Sequence, residues 1–312
     1  MKSYGSATGL ATGVLSRADT TPPVAGLVFG LLGVLTFSFT LPFTRLAVRD
    51  LDPLFVGGGR AVVAAVLALA LLAGRRVPRP SGRAALRLLV VAAGVIAGFP
   101  LLTSVAMQSL PANHGAVVIG ALPLATAVLA CLRGGERPRG LFWVASAAGL
   151  VAVFVFLATG TGGFGSFGFA DLLLFAAVVL AAAGYAEGGL LAREIGAWQT
   201  ICWALVIAAP VMAPVAVIGA VRGGLDSDAS GWIAFGYLSL FSMFLGFFAW
   251  YRGLAIGPLT SVSQIQLVQS VFTLLWSTLF FGEHVGAWVW VAAVTVLGCA
   301  LVATRSRVRS AN

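Results

Sequence analysis

The sequence predicts an all-α integral membrane protein in which ten transmembrane helices form two inverted five-helix repeats around a central cavity. Three observations support this prediction. The chain of 312 residues is 60% hydrophobic and only 9% charged, long apolar runs recur from residue 24 onward, and the second half repeats features of the first. A water-soluble domain contains roughly 25% charged residues, so the composition excludes an ordinary soluble fold.

Ten apolar runs are long enough, at about 20 residues each, to cross the hydrocarbon core of a bilayer. Because lipid offers no partner for backbone groups, a span must be a helix or part of a closed barrel. The runs lack the short alternating strands of a barrel, so we predict helices. The predicted spans cover residues 24–47, 54–74, 85–108, 112–132, 139–159, 169–191, 198–220, 231–253, 259–281 and 285–304.

The basic residues predict the orientation of these spans. With a cytoplasmic N-terminus, 15 of the 19 Lys and Arg residues lie on cytoplasmic segments, and Arg45, Arg49 and Arg222 lie in outer loops. This bias follows the positive-inside rule, and it predicts a multi-pass protein of a bacterial inner membrane with both termini cytoplasmic. The same clustering accounts for the net charge of +9 without a nucleic-acid partner.

A shift of 147 residues (282 − 135 = 147) aligns the second half with the first. It pairs Pro111 with Pro258, Gly135-Glu136 with Gly282-Glu283, Trp143 with Trp290, and Leu150 with Leu297. Since each half holds an odd number of spans, the halves have opposite orientations, as in many secondary transporters. The predicted segments are a cytoplasmic tail (1–23), a first repeat (24–159), a Gly-rich outer linker (160–168), a second repeat (169–304) and a basic cytoplasmic tail (305–312).

The repeated Gly-Glu pair has a structural interpretation. Glycine ends one helix, and glutamate stabilises the positively polarised start of the helix that follows. A proton-binding role fits Glu136 and Glu283 poorly, because both residues lie at the membrane edge.

Longer stretches around these pairs resemble the half-repeats of the drug/metabolite transporter superfamily, EamA type. They read VVIGALPLATAVLACLRGGE and IQLVQSVFTLLWSTLFFGE. In the first stretch, Pro123 precedes Gly135 by the twelve residues of the family pattern, whereas Ser270, behind Gln269, replaces the proline in the second. GFADLLLFAAVVLAAAGYA is similar to the opening of the family's sixth helix, and Arg60 to an arginine of its second. The resemblance spans residues 24–304 and implies a transporter of the amino-acid and metabolite exporter branch.

The resemblance also implies that spans one, three, six and eight surround a central substrate cavity. The candidate aromatic cavity residues on these spans are Phe37, Phe99, Tyr185, Trp250 and Tyr251. Pro42 and Pro100 are expected to bend spans one and three there and to free backbone carbonyls for a ligand. Thr40 and Thr103, from the same two spans, complete this part of the predicted binding site.

Charged side chains within spans are costly in lipid and are therefore functional candidates. Arg60 either snorkels outward or bonds loop carbonyls, or it acts as a gate or as the partner of a substrate carboxylate. Glu187 either forms an inner-edge salt bridge, with Arg193 near it, or binds a proton or a substrate amine. Asp171 is interpreted as a charge at a helix start. His114 is interpreted as a rim residue of the outer mouth rather than a proton relay, and it is a gating candidate.

Span nine is the most polar of the predicted helices. At 100° per residue, four of its polar side chains fall within a sector of about 120°: Ser263, Gln266, Gln269 and Ser270. Amides that faced lipid would lack hydrogen-bond partners. This face therefore either joins helices or lines the substrate path, and Ser263, Gln266 and Gln269 are assigned to the binding site.

These features, together with the resemblance, predict a secondary transporter of small metabolites, amino acids foremost, that works by alternating access, and the resemblance implies that the direction is export. No nucleophile–base pair, carboxylate dyad or metal-ligand cluster emerges from the sequence, so no enzyme, cofactor or metal site is predicted. Because acids are scarce at midplane depth, transport is expected to be uncoupled. The alternative is broad efflux of drugs or lipophilic cations by proton antiport, and a channel is more distant. The expected partners are a small-molecule substrate and the bilayer, with a monomeric protein.

Overall fold

The computed structural model describes residues 24–160, 168–282, 287–305 and 308–310. Its α-helices are α1 (Val24–Ser38), α2 (Thr40–Ala47), α3 (Pro53–Gly74), α4 (Gly82–Val91), α5 (Phe99–Ala106), α6 (Ala112–Ile119), α7 (Leu122–Gly134), α8 (Gly140–Gly160), α9 (Phe169–Ile195), α10 (Ala197–Gly223), α11 (Ala229–Tyr237), α12 (Gly246–Ile256), α13 (Leu259–Ser263), α14 (Gln266–Phe281) and α15 (Ala287–Arg305). The predicted N-terminal tail, most of the predicted outer linker, Glu283 and His284 lie outside the described residues.

Helices lie at the position of every predicted span, and the chain is mostly helical. Among the described residues, six helical stretches are long and apolar enough to cross a membrane: Val24–Ala47, Pro53–Gly74, Gly82–Ala106, Phe169–Ile195, Ala197–Gly223 and Ala229–Ile256. The shortest has 22 residues, which suffices for a hydrocarbon core of about 30 Å. These are predicted spans one to three and six to eight. The crossing of the other four spans, and the inversion of the two halves, stay predictions.

Large apolar side chains cover the outside of these helices. Val66 on α3 and Val211 on α10 are 63% and 65% exposed, although both helices bury their small residues against each other. A water-soluble protein rarely exposes so continuous an apolar surface. The outer surface is therefore suited to lipid.

Spans three and eight each contain a π-helical segment, at Ala92–Gly98 and Leu238–Leu245. The 147-residue shift places 92–98 on 239–245, so the two segments occupy matching positions. In the first, Gly94 and Gly98 bring the backbone against Leu180 of α9. Pro100, at which the sequence predicts a bend in span three, adds a missing N–H two residues later. Both segments border the centre of the molecule.

Span one breaks between α1 and α2, close to the predicted bend at Pro42. A proline cannot donate to the carbonyl four residues earlier, which here belongs to Ser38. The Thr273 hydroxyl of α14 donates to that carbonyl at 2.8 Å. The freed carbonyl that the sequence predicts is thus present, but its partner is a side chain of the protein.

The Gly-Glu interpretation is right for the glycines and wrong for the helix that Glu136 stabilises. Gly135 and Gly282 both adopt left-handed conformations, with φ of 66° and 63°, and each follows the end of a helix. Glu136, however, binds the backbone amides of Leu259 and Thr260 at the start of α13, and not the start of α8, the next helix. The preference of a carboxylate for a helix start holds, but the helix is in the other half of the chain.

Glu136 also begins strand β1 (Glu136–Pro138), which pairs antiparallel with β2 (Val308–Ser310). Arg137 lies opposite Arg309 in this pair. The strands bring the loop after α7 and the C-terminal tail to the same end of the molecule. The sequence assigns both segments to the same, cytoplasmic side.

Candidate substrate site at the centre of the helices

A small cavity lies where nine helical segments meet. Its walls come from α1, α2, α3, α5, α9, α12, α14 and both π-helical segments. The lining residues are Phe37, Thr40, Leu41, Arg60, Val95, Phe99, Pro100, Tyr185, Ser242, Met243, Phe247 and Gln269. The room that it offers to a water-sized molecule measures about 20 Å³, which accommodates about one water molecule. The cavity must widen to admit a metabolite.

Aromatic rings form one wall of this cavity. Phe37 lies 6.5 Å from Tyr185 in a stacked pair, 4.9 Å from Phe247 and 6.3 Å from Trp250, measured between ring centroids. A Cβ added at Gly33 would come within about 3 Å of Trp250, so the glycine lets α1 and α12 approach closely. Three of the five predicted aromatic residues, Phe37, Tyr185 and Phe99, line the cavity, and Trp250 supports them from behind.

Tyr251, the fifth predicted aromatic residue, lies away from the cavity. It is fully buried between α12 and α9, and its hydroxyl donates to the Gly184 carbonyl at 3.1 Å. The close approach of its ring to Gly188 explains the absence of a side chain at that position. Tyr251 therefore joins two helices, and its assignment to the substrate path finds no support in its contacts.

Arg60 provides the positive charge of the cavity. The preceding glycines allow close packing on three sides: Gly57 against α5, Gly58 against α10 and Gly59 against Phe235. This packing leaves Arg60 only 1% exposed. Within the described structure, its buried Nε and Nη2 atoms have no hydrogen-bond partner. Arg60 thus neither snorkels outward nor bonds loop carbonyls through those atoms.

Two glutamines from span nine add polar groups near the cavity. Gln269 lines it, and its Nε2 donates weakly to the Phe37 carbonyl at 3.5 Å, while its Oε1 has no partner among the described residues. Both amide atoms of Gln266 are buried with no described partner in hydrogen-bond geometry, although the side chain lies next to the Tyr185 hydroxyl. An unpaired buried amide costs about 1–3 kcal/mol, so these groups favour a ligand or water beside them.

The serines of the same face have other partners. Ser263 donates to the Thr260 carbonyl at 2.8 Å within its own helix. Ser270 donates to the Ala116 carbonyl of α6 at 2.9 Å. Each interpretation of the polar face therefore holds for different residues. The serines stabilise helices, and the glutamines retain unused polar atoms.

Span one and the second π-helical segment meet through a pair of hydroxyls. The Thr40 and Ser242 hydroxyl oxygens lie 2.8 Å apart on the cavity wall. Thr103, predicted for the same site, instead donates to the Phe99 carbonyl at 2.6 Å, one turn back in its own helix. Pro42 is buried in α2 and does not line the cavity.

Glu187 lies outside the cavity, in an ion-pair cluster near the predicted inner ends of the helices. Arg87 donates to one carboxylate oxygen, and Arg133 donates to the other at 2.8 Å. Arg87 also pairs with Glu194 at 2.6 Å. The salt-bridge interpretation therefore fits, but its partners are Arg87 and Arg133. Arg193, the expected partner, instead bonds the Leu254 and Gly257 carbonyls.

His114 and Asp171 form a pair at the opposite end of the molecule. His114 Nε2 lies 2.6 Å from Asp171 Oδ1, and the second carboxylate oxygen accepts the Gly168 N–H at 2.9 Å. Asp171 thus occupies the start of α9, as the sequence predicts. The pair joins α6 to α9 on the predicted outer side, and His114 lines no part of the cavity wall.

Five residues that line the cavity were not predicted from the sequence, namely Leu41, Val95, Ser242, Met243 and Phe247. Ser242 gave a usable signal, since it is one of only two serines in a mostly apolar span. Phe247 is the counterpart of Pro100 under the 147-residue shift. The aliphatic residues gave no such signal, because a leucine or valine that lines a cavity has the same sequence pattern as one that packs in a core.

Comparisons with known proteins agree with this architecture. The chain is 46% identical over 283 residues to the uncharacterized transporter YdeK of Bacillus subtilis, covering 90% of this chain and 97% of that protein. It is 28% identical over 287 residues to the uncharacterized inner membrane transporter YedA of Escherichia coli, covering 90% of each chain. One crystal structure, 17% identical, superposes with a TM-score of 0.72 over 90% of this chain and 96% of that one, and supports the fold alone. The sequence profile of the EamA-like transporter family matches residues 24–158 and 168–305. The chain therefore belongs to the EamA-like transporter family and is a membrane transporter.

Proposed function

We propose that this transporter exports small carboxylate-bearing metabolites, amino acids foremost, across a bacterial inner membrane. In this proposal, ten spans in two inverted repeats alternate access to the central cavity, and both termini are cytoplasmic. The protein acts as a monomer.

The unpaired guanidinium of Arg60 is the observation on which the proposal depends. Burial of an isolated cation costs several kcal/mol, even after relaxation of the protein. Arg60 keeps its Nε and Nη2 atoms without partners among the described residues, at the wall of the cavity. A carboxylate matches a guanidinium in charge and in bidentate geometry. A substrate carboxylate would therefore offset the cost of burying Arg60.

The remaining groups suit the other parts of an amino acid. The free amide oxygen of Gln269 can accept from an ammonium group, and the rings of Phe37, Tyr185 and Phe247 can enclose an apolar side chain. Efflux of lipophilic cations is less favoured, since the positive charge of Arg60 repels a cation in the same small cavity.

Uncoupled transport fits the positions of the carboxylates. A proton antiporter needs an embedded acid that is free to exchange its proton for substrate. Among the described residues, Glu187 is held by Arg87 and Arg133, and Asp171 is held by His114 and the Gly168 amide. Neither acid faces the cavity. We therefore expect export down the gradient of the substrate itself.

The test uses purified protein in proteoliposomes preloaded with unlabelled amino acid, with uptake of radiolabelled leucine, phenylalanine or threonine measured by counterflow. Uptake of at least one amino acid, unchanged by an imposed pH gradient, is expected. Equal uptake of the matching amino-acid amides, which lack the carboxylate, would contradict the role of Arg60. Uptake of tetraphenylphosphonium, without any amino acid, would favour cation efflux instead.

A further inference from the structure

The carboxylate of Glu136 connects the first half of the chain to the start of α13 in the second. Its Oε1 accepts the Leu259 N–H at 2.8 Å, and its Oε2 accepts the Thr260 N–H at 2.9 Å and the Thr260 hydroxyl at 2.7 Å. Glu136 is only 8% exposed. The first amides of a helix need such acceptors, and Pro258, at the N-cap position, provides no side-chain hydrogen bond. Glu136 thus caps α13 from more than 120 residues away.

Arg193 completes the junction by neutralising the end of the preceding helix. Its Nη2 donates to the Gly257 carbonyl at 2.8 Å and to the Leu254 carbonyl at 3.3 Å, and it lies 3.6 Å from Glu136 Oε1. The cation therefore faces the negative end of α12, and the anion faces the positive end of α13. The two side chains also offset each other's charge. Helices α9, α12 and α13 are joined to the loop after α7 at one point.

The helix that Glu136 holds is the one that leads to the cavity. From Leu259 to Leu267, every residue is buried. A tight turn at Gln264 and Ile265 then joins α13 to α14, which carries Gln266 and Gln269 toward the cavity. A path from the cavity to the predicted inner side along this helix requires α13 to separate from its neighbours.

The part of the chain that supplies the cap determines in which states of the transporter the cap is present. An N-cap residue at position 258 would accompany α13 in every state of the transporter. A cap from the opposite half of the chain exists only while the two halves touch at this end. Alternating access requires two packings of the same elements, and a contact that exists in one packing alone shifts the balance between them.

We propose that Glu136 is a positioning residue that latches the inner end of α13, and that its carboxylate releases the Leu259 and Thr260 amides whenever the cavity opens inward. This inference depends on the family's transport activity but not on the identity of the substrate, so its test measures access rather than uptake.

The test follows the reaction of a membrane-impermeant maleimide with Ser261→Cys, a buried position on α13, in a background with Cys131, Cys202 and Cys299 replaced by alanine. Reagent is applied to inverted vesicles, which present the inner face, and to right-side-out vesicles. Glu136→Gln should accelerate labelling from the inner face by about tenfold, the factor expected for loss of one charge-assisted hydrogen bond. Glu136→Asp, which keeps the charge, should restore most of the native rate.

Glu194→Gln is the matched control, because it removes an exposed glutamate from the same end of the molecule without touching α13. It should leave the labelling rate unchanged. A second reporter, Thr44→Cys, is buried in the predicted outer half of span one and should not gain accessibility in Glu136→Gln.

Two results would overturn the latch. One is an unchanged Ser261→Cys rate in Glu136→Gln protein. The other is an equal acceleration at both reporters together with a lower melting temperature in detergent, which would assign Glu136 to general stability. A tenfold gain at Ser261→Cys alone supports the latch, even where no amino acid is transported.

Discussion

Replacement of Arg60 by methionine separates a substrate-binding role from a structural one, because the two roles predict opposite effects on stability. Methionine keeps much of the length and removes the charge. Arg60 is 1% exposed, and its Nε and Nη2 atoms have no partner among the described residues. Its removal therefore ends an unfavourable burial of charge, and the melting temperature of the empty protein should stay the same or rise.

The same substitution should weaken substrate binding strongly. Loss of one partner from a buried, hydrogen-bonded charge pair costs about 2–5 kcal/mol. At 1.4 kcal/mol per tenfold change, this corresponds to roughly 30-fold to 4,000-fold weaker binding. The assay is counterflow in proteoliposomes with an amino acid and its amide. Discrimination between acid and amide should be high in the native protein and lost in Arg60→Met.

Arg45→Met is the matched control. Arg45 also lies on the predicted outer half of the molecule, but its guanidinium donates to the Met107 carbonyl and to the Gln108 carbonyl, the latter at 2.7 Å. Its loss should lower the melting temperature and leave the acid-to-amide ratio unchanged. A lower melting temperature for Arg60→Met with an intact acid-to-amide ratio would refute the reasoning and make Arg60 structural.

Three further predictions follow from the same contacts. Gln266→Leu and Gln269→Leu should each reduce transport without reducing folded yield, since Gln269 Oε1 has no partner among the described residues and its Nε2 makes only the weak 3.5 Å bond to Phe37, while neither amide atom of Gln266 has a described partner in hydrogen-bond geometry; reduced yield with normal transport in the surviving protein would make them packing residues. Glu187→Gln should leave the pH independence of flux unchanged and lower the melting temperature, because Arg87 and Arg133 lose their shared partner; proton-driven accumulation that disappears in this variant would identify Glu187 as a coupling site. Glu136→Cys and Glu283→Cys should react with impermeant reagents from opposite faces, and reaction from a single face would exclude the inverted repeat.

The sequence alone was sufficient for the class of protein and the approximate position of its helices. Apolar content and run length depend only on residues close together in the chain, and bilayer thickness gives the required length. The helix-ending glycines at 135 and 282 were predictable for the same reason, since a left-handed residue after a helix is a local requirement. The burial of the polar residues of span nine was predictable from the cost of amides in lipid, but the turn at Gln264 and Ile265, which interrupts the helix between Ser263 and Gln266, was not.

The tertiary structure decided which polar side chains have partners. Glu187 is held by arginines that lie 100 and 54 residues away in the chain. The helical periodicity of a single span cannot predict contacts between residues so far apart. Glu136 stabilises a helix start 123 residues away and not its neighbour, because the other half of the chain packs closer to its carboxylate. Arg60 is the converse case: its span placed it in the membrane, but the sequence left open whether it snorkels outward. Its burial without a partner among the described residues depends on the helices around it. Local sequence determines which segments enter the bilayer, and only the packing of distant segments determines whether a buried charge is paired or left for a ligand.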